Sequence, residues 1–159
     1  MMMARRTTLA AGLAALILPA SAPALAQALP RLQVWRDENC GCCAAWVEHM
    51  RAAGFPVEDN IVRSLAAARR MLGTPADLLS CHAGLVGGYA LEGHVPAQAV
   101  VRLLVERPAG VRGLAVPGMP IGSPGMEAPD RAPETYDVVA FDAHGGRAAF
   151  MRFRGTMPV

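Results

Sequence analysis

The chain has 159 residues, of which 53% are hydrophobic and 18% charged, and its formal net charge is +2. Basic and acidic residues are nearly equal in number, 15 and 13. This balance gives no support for a nucleic acid or an anionic membrane surface as a partner. All the basic residues are arginine, which removes lysine as a candidate nucleophile. The length is that of one domain with its own core.

The N-terminus has the features of a secretory signal. Arg5-Arg6 precedes an apolar run from Leu9 to Leu18, and a small-residue triplet ends at Ala26. We predict a signal peptide over residues 1–26 and a single domain over residues 27–159. The apolar run is about half of the roughly twenty residues needed to cross a bilayer, so no permanent membrane span is expected. The arginine pair suits either the general secretory or the twin-arginine route.

The first half of the exported chain predicts the order strand, helix, strand, helix. The short apolar run from Leu32 to Trp35 predicts a buried strand that leads into a group of cysteines. Residues 44–53, followed by Gly54, predict a helix closed by a C-terminal glycine. Residues 55–62 predict a second strand and residues 65–72 a short helix. The cysteines are therefore expected at a strand-to-helix junction.

The second half predicts a hairpin, a helix, a long loop and another hairpin. Two adjacent glycines between apolar runs predict a tight hairpin over residues 83–91. A proline opens a predicted helix over residues 97–104. Residues 108–133 are rich in proline and glycine and predict an irregular loop, and residues 136–153 predict the final hairpin. The order indicates an α/β fold, a thioredoxin-like mixed sheet flanked by helices.

Four cysteines carry the most specific chemistry. Cys40, Cys42 and Cys43 lie within four residues, and Cys81 stands apart. Four cysteines in an exported domain first suggest two disulfides, but Cys42 and Cys43 could pair only through a strained vicinal bond. A helix N-terminus favours thiolate, the form that binds metals. Crowded thiolates suit Cu(I) better than zinc, and thiol–disulfide catalysis through Cys40-x-x-Cys43 and structural disulfides are the alternatives.

Several segments in order give the chain a family resemblance. They are Cys40-Gly41-Cys42-Cys43, Trp46, Cys81-His82, Gly93-His94-Val95-Pro96 and the segment from Val116 to Glu127. Together they resemble the CopG-like family of periplasmic copper proteins, long catalogued only as a domain of unknown function and described as metal-binding. The resemblance implies a thioredoxin-like fold, a copper cluster bound by the four cysteines, and a role in copper resistance. Interconversion of Cu(I) and Cu(II) is the reaction it suggests.

The resemblance also places other candidate ligands near the cysteines: His82, His94, Met119 and Met126. His82 directly follows Cys81, and successive strand residues point to opposite faces, so both reach one site only if they lie on a turn. His94 follows the predicted hairpin, where a loop could bring it over the cysteines or where it could bond to the backbone. Thioethers are soft, uncharged ligands that would favour Cu(I), and simple packing is the alternative for both methionines.

The sequence therefore predicts an exported, periplasmic protein that binds copper, in a multinuclear Cu(I) cluster, and acts in copper resistance. Whether it is an enzyme stays open, with a copper-dependent oxidoreductase as the candidate activity. The alternatives are a thiol–disulfide oxidoreductase that uses Cys40 and Cys43, and a copper chaperone that passes the ion on without catalysis. The expected partners are copper ions and other periplasmic copper-resistance proteins.

Overall fold

The computed structural model describes residues 28–159, and the predicted signal peptide lies outside them. The helices are α1 (Gly41–Ala52), α2 (Ala66–Leu72) and α3 (Ala97–Glu106), with a 3-10 turn at Ala76–Leu78. The strands are β1 (Leu32–Arg36), β2 (Val57–Ile61), β3 (His82–Val86), β4 (Tyr89–Glu92), β5 (Val111–Ala115), β6 (Thr135–Asp142), β7 (Arg147–Arg154) and β8 (Met157–Pro158). Among the described residues no helix is long and apolar enough to cross a membrane.

The described strands form one mixed sheet of eight, in the order β2-β1-β3-β4-β5-β6-β7-β8. β1 pairs in parallel with β2 and antiparallel with β3, and β4 pairs in parallel with β5. The hairpin of β3 and β4 and the meander from β5 to β8 are antiparallel. The parallel pairs are the ones connected through α1 and α3, as parallel strands require a crossover. The predicted single α/β domain with a mixed sheet is confirmed.

The two faces of the sheet carry different helices. Trp46 of α1 and Leu103 of α3 pack in one buried cluster with Leu91 of β4. Leu72 of α2 packs in a second cluster with Ala90 of the same strand. Because neighbouring strand residues point to opposite faces, α1 and α3 cover one face and α2 covers the other.

The predicted loop over residues 108–133 is too long. Residues Val111–Ala115 form β5, a strand inside the sheet, and the irregular segment runs from 116 to 134. A side chain at Gly113 would run into the Ala90 carbonyl of the neighbouring strand, so the glycine that suggested a loop is required by close strand contact. The remaining segment, which we call the covering loop (residues 116–134), is folded by internal bonds such as Met126 N to Ser123 O at 2.7 Å.

Candidate metal centre

Three of the cysteines open helix α1. Cys40 is its N-cap, and Cys42 and Cys43 lie in its first turn, so the helix begins three residues earlier than predicted. The Cys40 amide donates to the Asp37 carbonyl at 3.3 Å, which turns the chain between β1 and the helix. No side chain caps the helix. The predicted strand-to-helix location of the cysteines is confirmed, and their sulfur atoms lie at the positive end of the helix dipole.

Cys81 joins them from the other side of the site, one residue before β3. Its carbonyl oxygen lies 3.6 Å from Cys43 Sγ, and Cys40 Sγ lies 3.5 Å from Cys42 Sγ. All four sulfur atoms lie within 4.8 Å of one another. Residues separated by 38 positions are therefore brought together because β3 pairs with β1, the strand that precedes the other cysteines.

The structure contains a disulfide between Cys40 and Cys43, and Cys42 and Cys81 are free thiols. The predicted set of four thiolates is therefore not present in this oxidised form, in which only two of the four cysteines are free. A Cys-x-x-Cys pair at the start of a helix brings its sulfurs within bonding distance, which is why these two cysteines pair rather than the vicinal ones. A site with four thiolates requires reduction of this bond by two electrons.

Cys81 is partly buried at the chain segment that precedes β3. Burial raises the pKa of its thiol well above the ordinary value, and the adjacent Cys42 thiol raises it further. This is the opposite of the effect expected at a helix N-terminus, because Cys81 lies at a strand end and receives no helix dipole. In the metal-free protein Cys81 is therefore a neutral thiol, and a metal ion must displace its proton.

His94 connects Cys81 to the covering loop. Its Nε2 lies 2.9 Å from Cys81 Sγ, and its Nδ1 lies 2.8 Å from the carbonyl oxygen of Pro124. Because that carbonyl can only accept, the bond assigns the hydrogen to Nδ1 and leaves the Nε2 lone pair facing the sulfur. Metal-binding histidines commonly have this arrangement, with the second ring nitrogen held by a backbone carbonyl. His94 is therefore bonded to the backbone through Nδ1 and is a candidate ligand through Nε2, so the two interpretations of this residue are compatible.

His82 is 1% exposed and lies between Trp46 and Cys81. Its Nδ1 is 3.3 Å from Cys81 Sγ, and its ring centroid is 4.3 Å from that of Trp46. Its Nε2 has no hydrogen-bond partner among the described residues, an uncommon state for a buried polar atom. The side chains of Cys81 and His82 reach the same site because β3 begins at His82. Cys81 lies before the strand, where successive side chains need not point to opposite faces.

Both imidazoles are neutral. Burial lowers the pKa of His82, and the neighbouring His94 lowers it further. Burial also lowers the pKa of His94. The neutral ring is the form that binds a metal. Cys81, His82 and His94 place one ligand atom each within 4.8 Å of one another, so Cys81 belongs both to this group and to the four cysteines.

The covering loop closes the site from above. A side chain at Gly125 would lie 2.6 Å from the Cys42 carbonyl and 2.8 Å from the Trp46 amide, so the loop backbone packs directly on the first turns of α1. Met126 is half-buried in this loop, and Met119 is 52% exposed. Their role as copper ligands stays a prediction.

Sequence reasoning missed three residues next to Cys81: Arg69, Ser80 and Glu92. Glu92 is fully buried and forms an ion pair with Arg69 at 2.6 Å. The available signal was a lone carboxylate at the end of an apolar strand, directly before the Gly93-His94 segment. A buried charge needs a partner, but nothing in the sequence identifies that partner as an arginine 23 residues earlier.

Two solved structures resemble this chain over most of its length. One is described as "Copper resistance protein copG- Form 1", with 41% sequence identity, a TM-score of 0.73, and coverage of 80% of this chain and 99% of that chain. The other is described as "Copper resistance protein copG- Form 2", also 41% identical, with a TM-score of 0.72 and coverage of 79% and 98%. The chain belongs to the CopG family.

A further comparison agrees with CopG family membership. Residues 78–126 match the family described as "Protein of unknown function, DUF411", a range that contains Cys81, both candidate histidines and both candidate methionines. No curated protein matches the chain. The predicted resemblance is confirmed, and the fold is that of a CopG homologue with a Cys/His cluster able to bind metal.

Proposed function

We propose that this protein binds copper in the periplasm and acts in copper resistance, holding the ion between the four cysteines and the two buried histidines. The observation that carries the proposal is the position of Cys81, whose sulfur belongs both to the four-cysteine group and to the group with His82 and His94. The similar structures named as copper resistance proteins support copper as the metal.

The donor atoms fit copper. Thiolates are soft ligands that select Cu(I), and neutral imidazole suits copper in both oxidation states. The Nε2 of His82 has no hydrogen-bond partner among the described residues, and the Nε2 of His94 contacts the Cys81 thiol, whose proton a metal ion would displace. Four sulfurs within 4.8 Å allow thiolates to bridge between ions, which supports a multinuclear Cu(I) cluster.

The direct test is to add Cu(I) anaerobically to metal-free protein in competition with a chromophoric chelator. We expect at least one tightly bound Cu(I) per chain in reduced protein. The form with the Cys40–Cys43 disulfide is expected to bind fewer ions, because only two thiols remain. His144, an exposed turn residue, provides a control, and His144→Ala should bind like the wild type. A reduced protein that binds less than one equivalent would exclude the proposal.

Interconversion of Cu(I) and Cu(II) is the finer part of the proposal. The Cys40 and Cys43 pair supplies a balanced reaction, in which the dithiol gives two electrons to two Cu(II) ions and releases two protons as the disulfide forms. Mixing reduced protein with Cu(II) should then remove the Cu(II) signal in electron paramagnetic resonance and consume two thiols per two ions. A Cys40→Ser variant that reduces Cu(II) as fast as the wild type would argue against this pair.

A second candidate function is favoured by the disulfide itself. A Cys-x-x-Cys bond at the start of α1, within the unit β1-α1-β2, is the arrangement of thioredoxin-like redox sites and supports the thioredoxin-like label for this core. Such an oxidoreductase would exchange with disulfides of other proteins. Insulin reduction by the wild type that is lost in Cys40→Ser would support this function, and intact copper uptake in the same variant would assign Cys40 to disulfide exchange and not to copper binding.

Periplasmic location is supported by the predicted signal peptide over residues 1–26. Osmotic-shock fractionation of cells that express the full chain tests it, with the mature protein expected in the released fraction. An unprocessed protein retained with the cytoplasm would contradict the prediction.

A further inference from the structure

A buried ion pair lies directly behind Cys81. Glu92, the last residue of β4, is 0% exposed, and its carboxylate accepts hydrogen bonds from Arg69 Nη2 at 2.6 Å and from Arg69 Nε at 3.2 Å. Removing two charges from water is costly, and such pairs are often no more stabilising than apolar packing. Stability alone therefore does not explain this buried ion pair, and its contacts indicate another role.

Arg69 and Glu92 both form hydrogen bonds with the backbone of Ser80, the residue that precedes Cys81. The Ser80 amide donates to Glu92 Oε1 at 2.8 Å, and the Ser80 carbonyl accepts from Arg69 Nη2 at 2.6 Å. The Ser80 hydroxyl donates to the Gly118 carbonyl of the covering loop at 2.6 Å. Every polar group of Ser80 is thus held, which fixes the backbone at the start of Cys81.

The same carboxylate lies two residues before His94. Between them, Gly93 has a φ of +70°, and a side chain there would lie 2.7 Å from Ser80 Cβ and 2.6 Å from the Val116 carbonyl. Gly93 therefore packs closely against the Ser80 side chain and the Val116 backbone. The contact of 2.9 Å between Cys81 Sγ and His94 Nε2 spans this junction, next to the bond between Ser80 and Glu92.

We propose that Arg69, Glu92 and Ser80 form a clasp that positions Cys81 against His94 and thereby sets how tightly the cluster holds copper. Arg69 and Glu92 are positioning residues, since they act on the metal site through Ser80. Loss of an outer partner of a metal ligand typically weakens metal affinity about 10–100-fold. The copper part of this inference rests on the proposed function, whereas the positioning of Cys81 is measurable without any metal.

The metal-free test uses Glu92→Gln, which keeps the shape of the side chain and removes the charge that pairs with Arg69. In the disulfide form only Cys42 and Cys81 react with iodoacetamide, and mass spectrometry separates their rates at one pH. We expect alkylation of Cys81 relative to Cys42 to accelerate about tenfold, because local opening exposes the thiol. Global unfolding would accelerate both cysteines. The control is Asp137→Asn, which breaks the two-bond ion pair with Arg152 elsewhere in the sheet.

The copper test uses the same variants in reduced form with a competing chelator. Glu92→Gln is expected to lower Cu(I) affinity about 10–100-fold and to change the near-ultraviolet copper–thiolate band, while Asp137→Asn changes neither. Arg69→Lys keeps the charge without the two-nitrogen contact and serves as the second variant if Glu92→Gln does not fold. A folded variant with wild-type Cys81 alkylation overturns the clasp. Accelerated alkylation in a protein whose wild type binds no copper would retain the clasp and reject the proposed function.

Discussion

Replacing Cys81 with serine is expected to lower Cu(I) affinity by more than about 100-fold, beyond the range typical for outer-shell partners. Cys81 Sγ is the ligand atom shared by the four-cysteine group and the histidine pair, so its loss affects both. A hydroxyl is a hard, protonated group that does not replace a soft thiolate. The measurement is a chelator competition on reduced, metal-free protein, together with copper analysis after desalting.

The controls separate loss of a ligand from loss of the fold. Cys42→Ser removes a sulfur from the four-cysteine group alone and should weaken binding less than Cys81→Ser, because the Cys81, His82 and His94 group stays complete. Circular dichroism should show the same secondary structure for both variants. Wild-type copper affinity in a folded Cys81→Ser variant would show that this cysteine is not a ligand.

Replacing Gly125 with alanine is expected to destabilise the covering loop strongly. Its φ of +86° costs an alanine about 1–2 kcal/mol. A Cβ atom would also lie 2.6 Å from the Cys42 carbonyl and 2.8 Å from the Trp46 amide, and such overpacking costs about 1–3 kcal/mol more. Denaturant unfolding of metal-free protein measures the sum. Copper affinity should fall as well, since the loop holds the Pro124 carbonyl that orients His94.

Gly88 provides a matched control for that substitution. Its φ is +89°, but a Cβ atom there would have no neighbour within 4 Å. Gly88→Ala should therefore show the backbone cost alone and leave copper binding unchanged. Equal losses of unfolding free energy in the two variants would mean that the loop does not pack on α1 as described.

Local patterns in the sequence were sufficient to predict the helices and strands that surround the metal centre. The crowded cysteines, the glycine pair of the hairpin and the proline before α3 each act over a few residues, and the helices and strands they predict are present. The convergence of Cys81 and His94 also followed from a local feature, because both lie at the ends of one hairpin, just before β3 and just after β4.

Features that depend on distant partners were not predictable. β5 is a strand because β4 and β6 flank it, and its own sequence, interrupted by Gly113, looks like the loop beside it. The bonds between Arg69, Ser80 and Glu92 join three separate elements and leave no periodic pattern. The disulfide was one of several open pairings, and only the geometry of the first turn of α1 selects Cys40 with Cys43.

The central claim is that copper binds between the cysteines and the buried histidines. A crystal structure of the copper-loaded, reduced protein, with anomalous diffraction recorded at the copper absorption edge, tests it most directly. We predict anomalous peaks within bonding distance of the Cys81 sulfur and at least one other cysteine sulfur, with His94 Nε2 facing the metal. Copper found only away from these cysteines, for example at the exposed Met119, would contradict the account.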